Sequence, residues 1–284
     1  MRGAGALEEF IEGSWTESRR GRRRACSTAG VHVTVVPPSA PLAPFVERFA
    51  IVETAEAAAT KVLLPEPGLM LGLRFAGAAR LVGAAAARVP NAAITGVLRS
   101  ARRMETAAHS GVVVVAFRAG GAAACFAEPL HELFGATVGL DALVPRATLA
   151  TLEQRLAHAD GHTQRVALVE QFLRARLAPD RSDPLALAAV DVIRRAGGQL
   201  RIRDLARGLG ISQDPLEKRF RRVIGASPKQ WASMIRMSRV IAGAGDWARR
   251  AIAAGYYDQS HFIREFRGVT GGAPERFFRA GNHC

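Results

Sequence analysis

Asp258-Gln259-Ser260-His261-Phe262-Ile263-Arg264-Glu265-Phe266-Arg267, followed by Val269, Gly271 and Pro274, repeats a pattern set 46 residues earlier. The earlier copy is Ser212-Gln213-Asp214-Pro215-Leu216-Glu217-Lys218-Arg219-Phe220-Arg221, followed by Val223, Gly225 and Pro228. Leu216 matches Phe262, Phe220 matches Phe266, Arg221 matches Arg267, and Trp231 matches Phe277. A repeat at fixed spacing means one supersecondary unit used twice. Within each copy the apolar residues recur every three or four positions, the signature of a helix with one buried face.

Working outward, each copy follows a short apolar-periodic segment and a turn. Ile202 to Leu209 reads as a helix with Ile202, Leu205, Ala206 and Leu209 inward, ended by Gly210. Ser212 is placed to cap the next helix, and Pro215 falls in its first turn, where a missing N–H costs little. The second unit repeats the plan with Ala248–Ala254, Gly255-Tyr256 and Asp258. Leu216, Phe220 and Val223 are expected in one core, Phe262, Phe266 and Val269 in the other. Asp214, Glu217, Lys218 and Arg221 then face outward, as do Gln259, Ser260, Ile263, Arg264 and Arg267. Arg suits guanine and Gln suits adenine in the major groove, so these faces point to double-stranded DNA. Gly225-Ala226-Ser227-Pro228 ends one helix and starts another, and Ser227 as a cap would leave N–H groups free for a phosphate.

Charge agrees with this placement. The chain has 284 residues and net charge +14. Residues 199–284 hold 16 basic and 7 acidic side chains, against 17 and 14 in residues 31–198. A basic segment gathers a polyanion by counterion release, although a generic basic surface gives the same count. Cys26, Cys125 and Cys284 are too few and too scattered for a disulfide framework or a metal site, which points to a reducing cytoplasm. Runs such as Gly111 to Phe117 are too short to span a membrane. The Arg-rich stretch Arg19 to Arg24 is followed by no apolar segment of the signal-peptide kind.

Residues 1–30 read as a disordered basic extension. Residues 31–145 read as β-rich, with strands expected at Val31–Val36, Phe49–Val52, Val62–Leu64, Leu69–Phe75, Ala92–Leu98 and Val112–Phe117. A short helix is expected within Pro41–Phe49, and Ala84–Ala87 is ambiguous. A small barrel is expected, able to hold a small ligand in its mouth. Arg74, Arg99, Arg102, Arg103 and Glu105 are the candidates to line it, against the plainer reading of solvated surface. His32, His109 and His131 are isolated, so no catalytic or metal site is assigned and no cofactor is called for. Residues 146–183 form a helical segment with Leu149, Leu152 and Leu156 on one face and Val166, Val169, Phe172, Leu173 and Leu177 on another. These helices would pack on the barrel or pair with a second subunit. Pro179 to Pro184 reads as the linker to residues 184–284. The fold class is α+β: a β-barrel-like, cupin-like domain, a helical linker, and an all-α domain of two helix-turn-helix units.

Gly255-Tyr256-Tyr257-Asp258-Gln259-Ser260-His261-Phe262-Ile263-Arg264-Glu265-Phe266 resembles the second helix-turn-helix signature of the AraC/XylS transcriptional regulators. Leu216, Phe220, Gly225, Ser227 and Pro228 resemble their first. Leu64-Pro65-Glu66-Pro67-Gly68 is similar to a strand start found in some of their sensor domains. The resemblance implies a cytoplasmic, non-enzymatic regulator that inserts two recognition helices into successive major-groove segments. It implies base-facing Asp214, Glu217 and Lys218 in the first helix and Gln259, Ser260 and Arg264 in the second. Arg221 and Arg267 would meet the backbone. A small-molecule effector, a homodimer and RNA polymerase as an indirect partner accompany that reading. Two departures stand out. Only Met234 to Ala242 reads as the helix joining the units, several residues shorter than the family's, and Asp214 and Glu217 put acid near the groove. A barrel-based enzyme with a fused regulatory domain, and a protein-interaction module that has lost DNA binding, stay open at this point.

Overall fold

The computed structural model describes residues 16–17, 24–28, 30–83, 86–243 and 245–280. Apolar alternation in the N-terminal half produces two antiparallel sheets. In chain order the strands are β1 (Thr16–Glu17), β2 (Arg24–Thr28), β3 (Val31–Val36), β4 (Val46–Thr54), β5 (Ala59–Leu63), β6 (Met70–Ala76), β7 (Ala79–Val82), β8 (Ala87–Arg88), β9 (Ala92–Thr95), β10 (Arg102–Thr106), β11 (Gly111–Phe117) and β12 (Thr137–Gly139). One sheet runs β1-β2-β3-β4-β11-β6-β9-β12 and the other β5-β10-β7-β8. Among the described residues the two sheets do not join into a closed barrel. β7, β8, β10 and β12 carry no long apolar run, which is why the sequence pattern passes over them.

Two expectations need correction. Residues 40–45 make turns rather than a helix, and the chain enters β4 at Val46. Leu42 N–H reaches Ser39 O at 2.9 Å and Val46 N–H reaches Leu42 O at 2.8 Å. Phe49 then pairs with Val115 in β11, so ladder bonding takes residues that looked helical. The extension 1–30 contains β2, which pairs with β3 through Cys26 opposite Val33. Arg19, Arg20, Arg22 and Arg23 lie outside the described residues, as do Ala84 and Ala85.

The large sheet has two unlike faces. Phe49, Ile51, Leu71, Leu73, Ile94, Val113 and Val115 are at most 1% exposed. Their face is covered by α1 (Arg146–Ala157) and α2 (His162–Arg176), which bury Leu149, Leu152 and Leu156, and Val166, Val169, Phe172 and Leu173. The Arg165 guanidinium lies 4.0 Å from the Phe75 ring, and His162 Nε2 meets Glu53 at 3.0 Å. These helices therefore pack on their own sheet.

No loose linker separates the halves. Pro179–Arg181 forms a single 3-10 turn, and Ala178 N–H donates to Ala124 O at 2.8 Å. Asp183 caps α3 (Pro184–Arg195), where Ala186, Ala189, Val190 and Ile193 are buried. One apolar core then runs from Leu42 in the β-rich domain to Ile235 near the C-terminus. Gly120 shows how close the halves come. Its φ is +80°, and a Cβ there would lie 2.7 Å from Leu187 and 3.3 Å from Val223. Only glycine satisfies both the left-handed backbone and the close approach.

Candidate nucleic-acid interface

The two repeats fold as expected, each as a positioning helix, a turn and a recognition helix. In the first, α4 (Ile202–Gly208) leads through Gly210, φ +68°, to α5 (Gln213–Ile224). After the joining helix α6 (Pro228–Ala242), the second has α7 (Trp247–Ala253), Gly255, φ +85°, and α8 (Gln259–Thr270), followed by α9 (Pro274–Ala280). Gly225 and Gly271 end the recognition helices in matching left-handed conformations, φ +86° and +76°. The second turn is one residue longer, so the glycines fall out of the 46-residue register that the caps keep. The caps also differ. Asp258 accepts the His261 N–H at 2.7 Å, whereas Ser212 makes no side-chain cap bond.

The core positions of the repeat are fully buried: Leu216, Phe220, Phe262 and Phe266 are each 0% exposed. On the other faces Asp214, Lys218 and Arg221 are exposed and Glu217 half-buried; Gln259, Ser260, Arg264 and Arg267 are exposed. One residue sits differently from expectation. Ile263 is partly buried against the second core rather than outward. Ser227 is 6% exposed, its hydroxyl accepts the Gln230 N–H at 3.2 Å, and Gln230 Oε1 accepts the Ser227 N–H at 2.9 Å. Ser227 is thus the helix cap that the sequence suggests, and the capping box takes up the Ser227 and Gln230 N–H groups. It also starts α6 at Pro228, so the joining helix has 15 residues and is not short.

The acidity of the first helix is answered within it. Glu217 lies 3.6 Å from Arg221 one turn on and accepts from Gln213 Nε2 at 3.0 Å. Asp214 sits in the first turn, where the helix dipole favours a negative charge.

Two networks escape sequence reasoning because they join residues far apart in the chain. Asp183 accepts Arg219 Nε at 2.7 Å and Nη2 at 3.0 Å while capping α3 through Leu185 and Ala186 N–H. Burial alone would raise the Asp183 carboxyl, but the Arg219 and backbone N–H bonds hold it below the usual carboxylate range. Asp183→Ala is expected to lower stability by about 0.5–2 kcal/mol at neutral pH. A group with a depressed folded pKa stabilises above its unfolded pKa and stops doing so as pH falls through the folded one. The difference from wild type in denaturant melts should therefore close below the ordinary carboxylate range. In the second network Glu265 Oε1 accepts from Ser233 Oγ and, at 3.3 Å, from Tyr256 Oη, and Arg236 donates to Gly198 O at 3.2 Å. Burial, then the nearby Glu265 charge, push the Tyr256 phenol up. The second recognition helix is thereby tied to α6.

The barrel-mouth candidates scatter. Arg103 is exposed, and Glu105 pairs with the exposed Arg80 at 2.7 Å. Arg99 lies over the Phe134 ring at 4.8 Å. Arg102 bonds Thr137 Oγ1 at 3.2 Å and Gly135 O. Arg74 is buried. Among the described residues there is no group of three or more His, Cys, Asp or Glu able to hold a metal ion, and no helix is long and apolar enough to cross a membrane. Cys125 is buried, which pushes its thiol up to about 11.

Fold and site together define a tandem helix-turn-helix DNA-binding domain joined to a two-sheet domain. Residues 205–280 match the family model described as a helix-turn-helix domain. The matched span takes in both recognition helices and the helix that joins them. Residues 34–139 match a domain of unknown function, DUF6597. The structure is similar to that of ToxT from Vibrio cholerae O395, at 12% identity, covering 82% of this chain and 97% of that one, with TM-score 0.44. It is also similar to the AraC-like transcriptional activator CuxR, at 13% identity, 94% and 90% coverage and TM-score 0.29. KdgF from Halomonas sp. matches 38% of the chain and 90% of its own, at 13% identity and TM-score 0.26. No curated protein matches the chain.

Proposed function

We propose that the regulator binds a specific operator by reading two successive major-groove segments, one with α5 and one with α8. The observation that carries this is the pair of recognition helices with exposed polar faces and matching left-handed C-terminal glycines, joined through one 15-residue helix. Asp214, Glu217 and Lys218, and Gln259, Ser260 and Arg264, are the base-facing sets. Arg221 and Arg267 serve the backbone. Ser227, which caps α6, marks a further backbone contact at that helix end. The second helix is the principal reader, since among the described residues no acid pairs with Gln259 or Arg264, while Glu217 holds Arg221. A cytoplasmic location, a homodimer and indirect action on RNA polymerase fit this reading, with the two-sheet domain sensing a small molecule rather than catalysing a reaction.

Selection of bound DNA from a random pool by the full-length chain tests it. Two conserved blocks about one helical turn apart are expected; a pool with no enriched sequence refutes sequence-specific reading. Arg264→Ala should weaken specific binding by roughly 1–3 kcal/mol and relax preference at one base position. Arg267→Ala should weaken binding to all sequences alike and lower the salt slope by about one unit. Fluorescence anisotropy across a salt series separates the two effects, and an unchanged slope removes Arg267 from the phosphate contacts.

A further inference from the structure

We propose that Arg74 anchors a carboxylate-binding site between the two sheets, taking an organic acid with a small apolar body. The proposal rests on the reading of the two-sheet domain as a sensor and names the chemistry of what it senses. Side chains alternate along β6. Leu71 and Leu73 face the helices at 0% and 1% exposure, and Phe75 meets Arg165 of α2 on that side. Gly72 and Arg74 therefore face the second sheet. Arg74 stands opposite Val112 of β11, and Val112 opposite Val52 of β4; Gly72 stands opposite Val114, and Val114 opposite Ala50. On the large sheet the neighbours of Arg74 across the ladders are thus valine, alanine and glycine.

Arg74 is 7% exposed, and its Nε and Nη1 are fully buried with no hydrogen-bond acceptor. Its backbone N–H donates to Asn91 O at 2.7 Å. Among the described residues no carboxylate pairs with it, and burial alone lowers its pKa from the usual arginine value. A buried cation without a partner is strongly unfavourable, and a guanidinium is a planar set of donors matched to a carboxylate. Every other arginine considered for this domain has a partner or lies in solvent. Arg74 is the one whose bonding is unmet.

The inner face is less tightly covered than the outer one. Val52, Gly72, Val112 and Val114 stay partly exposed although the opposite face of the same strands is closed. A Cβ on Gly72 would meet Val112 Cγ2 at 3.7 Å and Ala93 O at 3.9 Å, ordinary contacts that leave its direction open. At one end the sheets are bridged by Thr54 and Thr106, whose buried hydroxyls lie 3.1 Å apart. The apolar lining asks for an apolar body, and the single unmet guanidinium asks for one carboxylate.

The test uses the full-length chain and its Arg74→Met and Gly72→Leu variants. Each is titrated calorimetrically with benzoate and cyclohexanecarboxylate, with benzamide as the neutral counterpart and inorganic phosphate as a bare anion. At least one acid is expected to bind wild type saturably, at least tenfold more weakly to Arg74→Met, and not measurably to Gly72→Leu, which keeps the charge but fills the space. Benzamide should not distinguish wild type from Arg74→Met. Without ligand, Arg74→Met should melt at or above the wild-type temperature, because the charge removed had no partner. The proposal is overturned if neither acid binds wild type more tightly than Arg74→Met, if Arg74→Met melts lower without ligand, or if phosphate binds as well as the acids. DNA binding of the three ligand-free proteins, read by anisotropy, should be unchanged. Failure of the acid site with DNA binding retained is thus distinct from failure of the regulator reading itself.

Discussion

Phe266→Ala is expected to unfold the second helix-turn-helix unit and leave the two-sheet domain standing. Phe266 is 0% exposed and lies 5.3, 5.0 and 5.6 Å, centroid to centroid, from Phe262, Phe277 and Phe278. These rings, with Met237, Val240, Ala251, Ala254 and Tyr256, form a core separate from the one that runs through the rest of the molecule. Truncating a buried Phe costs about 3–5 kcal/mol. A small unit has only a few kcal/mol of its own, at roughly 0.1 kcal/mol per residue. Native-state hydrogen exchange should show α7, α8 and α9 losing protection while β4, β6 and β11 keep theirs. DNA selected by this variant should retain one conserved block instead of two. Equal loss of protection throughout the chain would show that the second core is not an independent unit.

Trp231→Ala has a similar cost and a different reach. Trp231 occupies in the first unit the place of Phe277 in the second, yet it is 0% exposed where Phe277 is only partly buried. Its ring meets Phe220 edge to face at 6.1 Å, and its Nε1–H donates to Pro67 O at 3.2 Å, across the junction with the two-sheet domain. The loss of about 3–5 kcal/mol should therefore appear in the β-rich domain and the first unit together, as one cooperative transition at lower denaturant. Trp231→Phe, which keeps an aromatic ring and drops the hydrogen bond, should cost less. Separate melting of the β-rich domain in Trp231→Ala would contradict a shared core.

The contrast bears on what the sequence made legible. Both units could be found, and their cores named, because Leu216, Phe220, Phe262 and Phe266 recur at helical spacing and the caps and glycines bracket them. Val31–Val36 was equally plain, since alternation marks a strand with unlike faces. β10 was not, because Arg102, Arg103 and Glu105 lie in a strand with no apolar stripe, and strand pairing alone puts it in place. Lys229, Gln230 and Ser233 break the apolar pattern, so the sequence marks the joining helix only from Met234. The Ser227–Gln230 capping box moves the start to Pro228 and restores a joining helix of ordinary length. Arg219 showed nothing of its tie to Asp183, nor Glu265 of its tie to Ser233, since each pair joins residues more than 30 positions apart.

By itself the sequence determined that this chain carries two helix-turn-helix units behind a β-rich domain, because short-range periodicity, caps and turns are local and repeat visibly. Only the tertiary structure decided that the units are unequal partners. The first shares its core with the sheets through Gly120, Leu187, Val223 and Trp231, and the second stands on its own ring cluster. The structure alone also decided which of five candidate side chains in the β-rich domain is left buried without a partner. Inward or outward direction on a strand depends on which face the helices cover. For Arg74, that is settled by α1 and α2, more than 70 residues further along the chain.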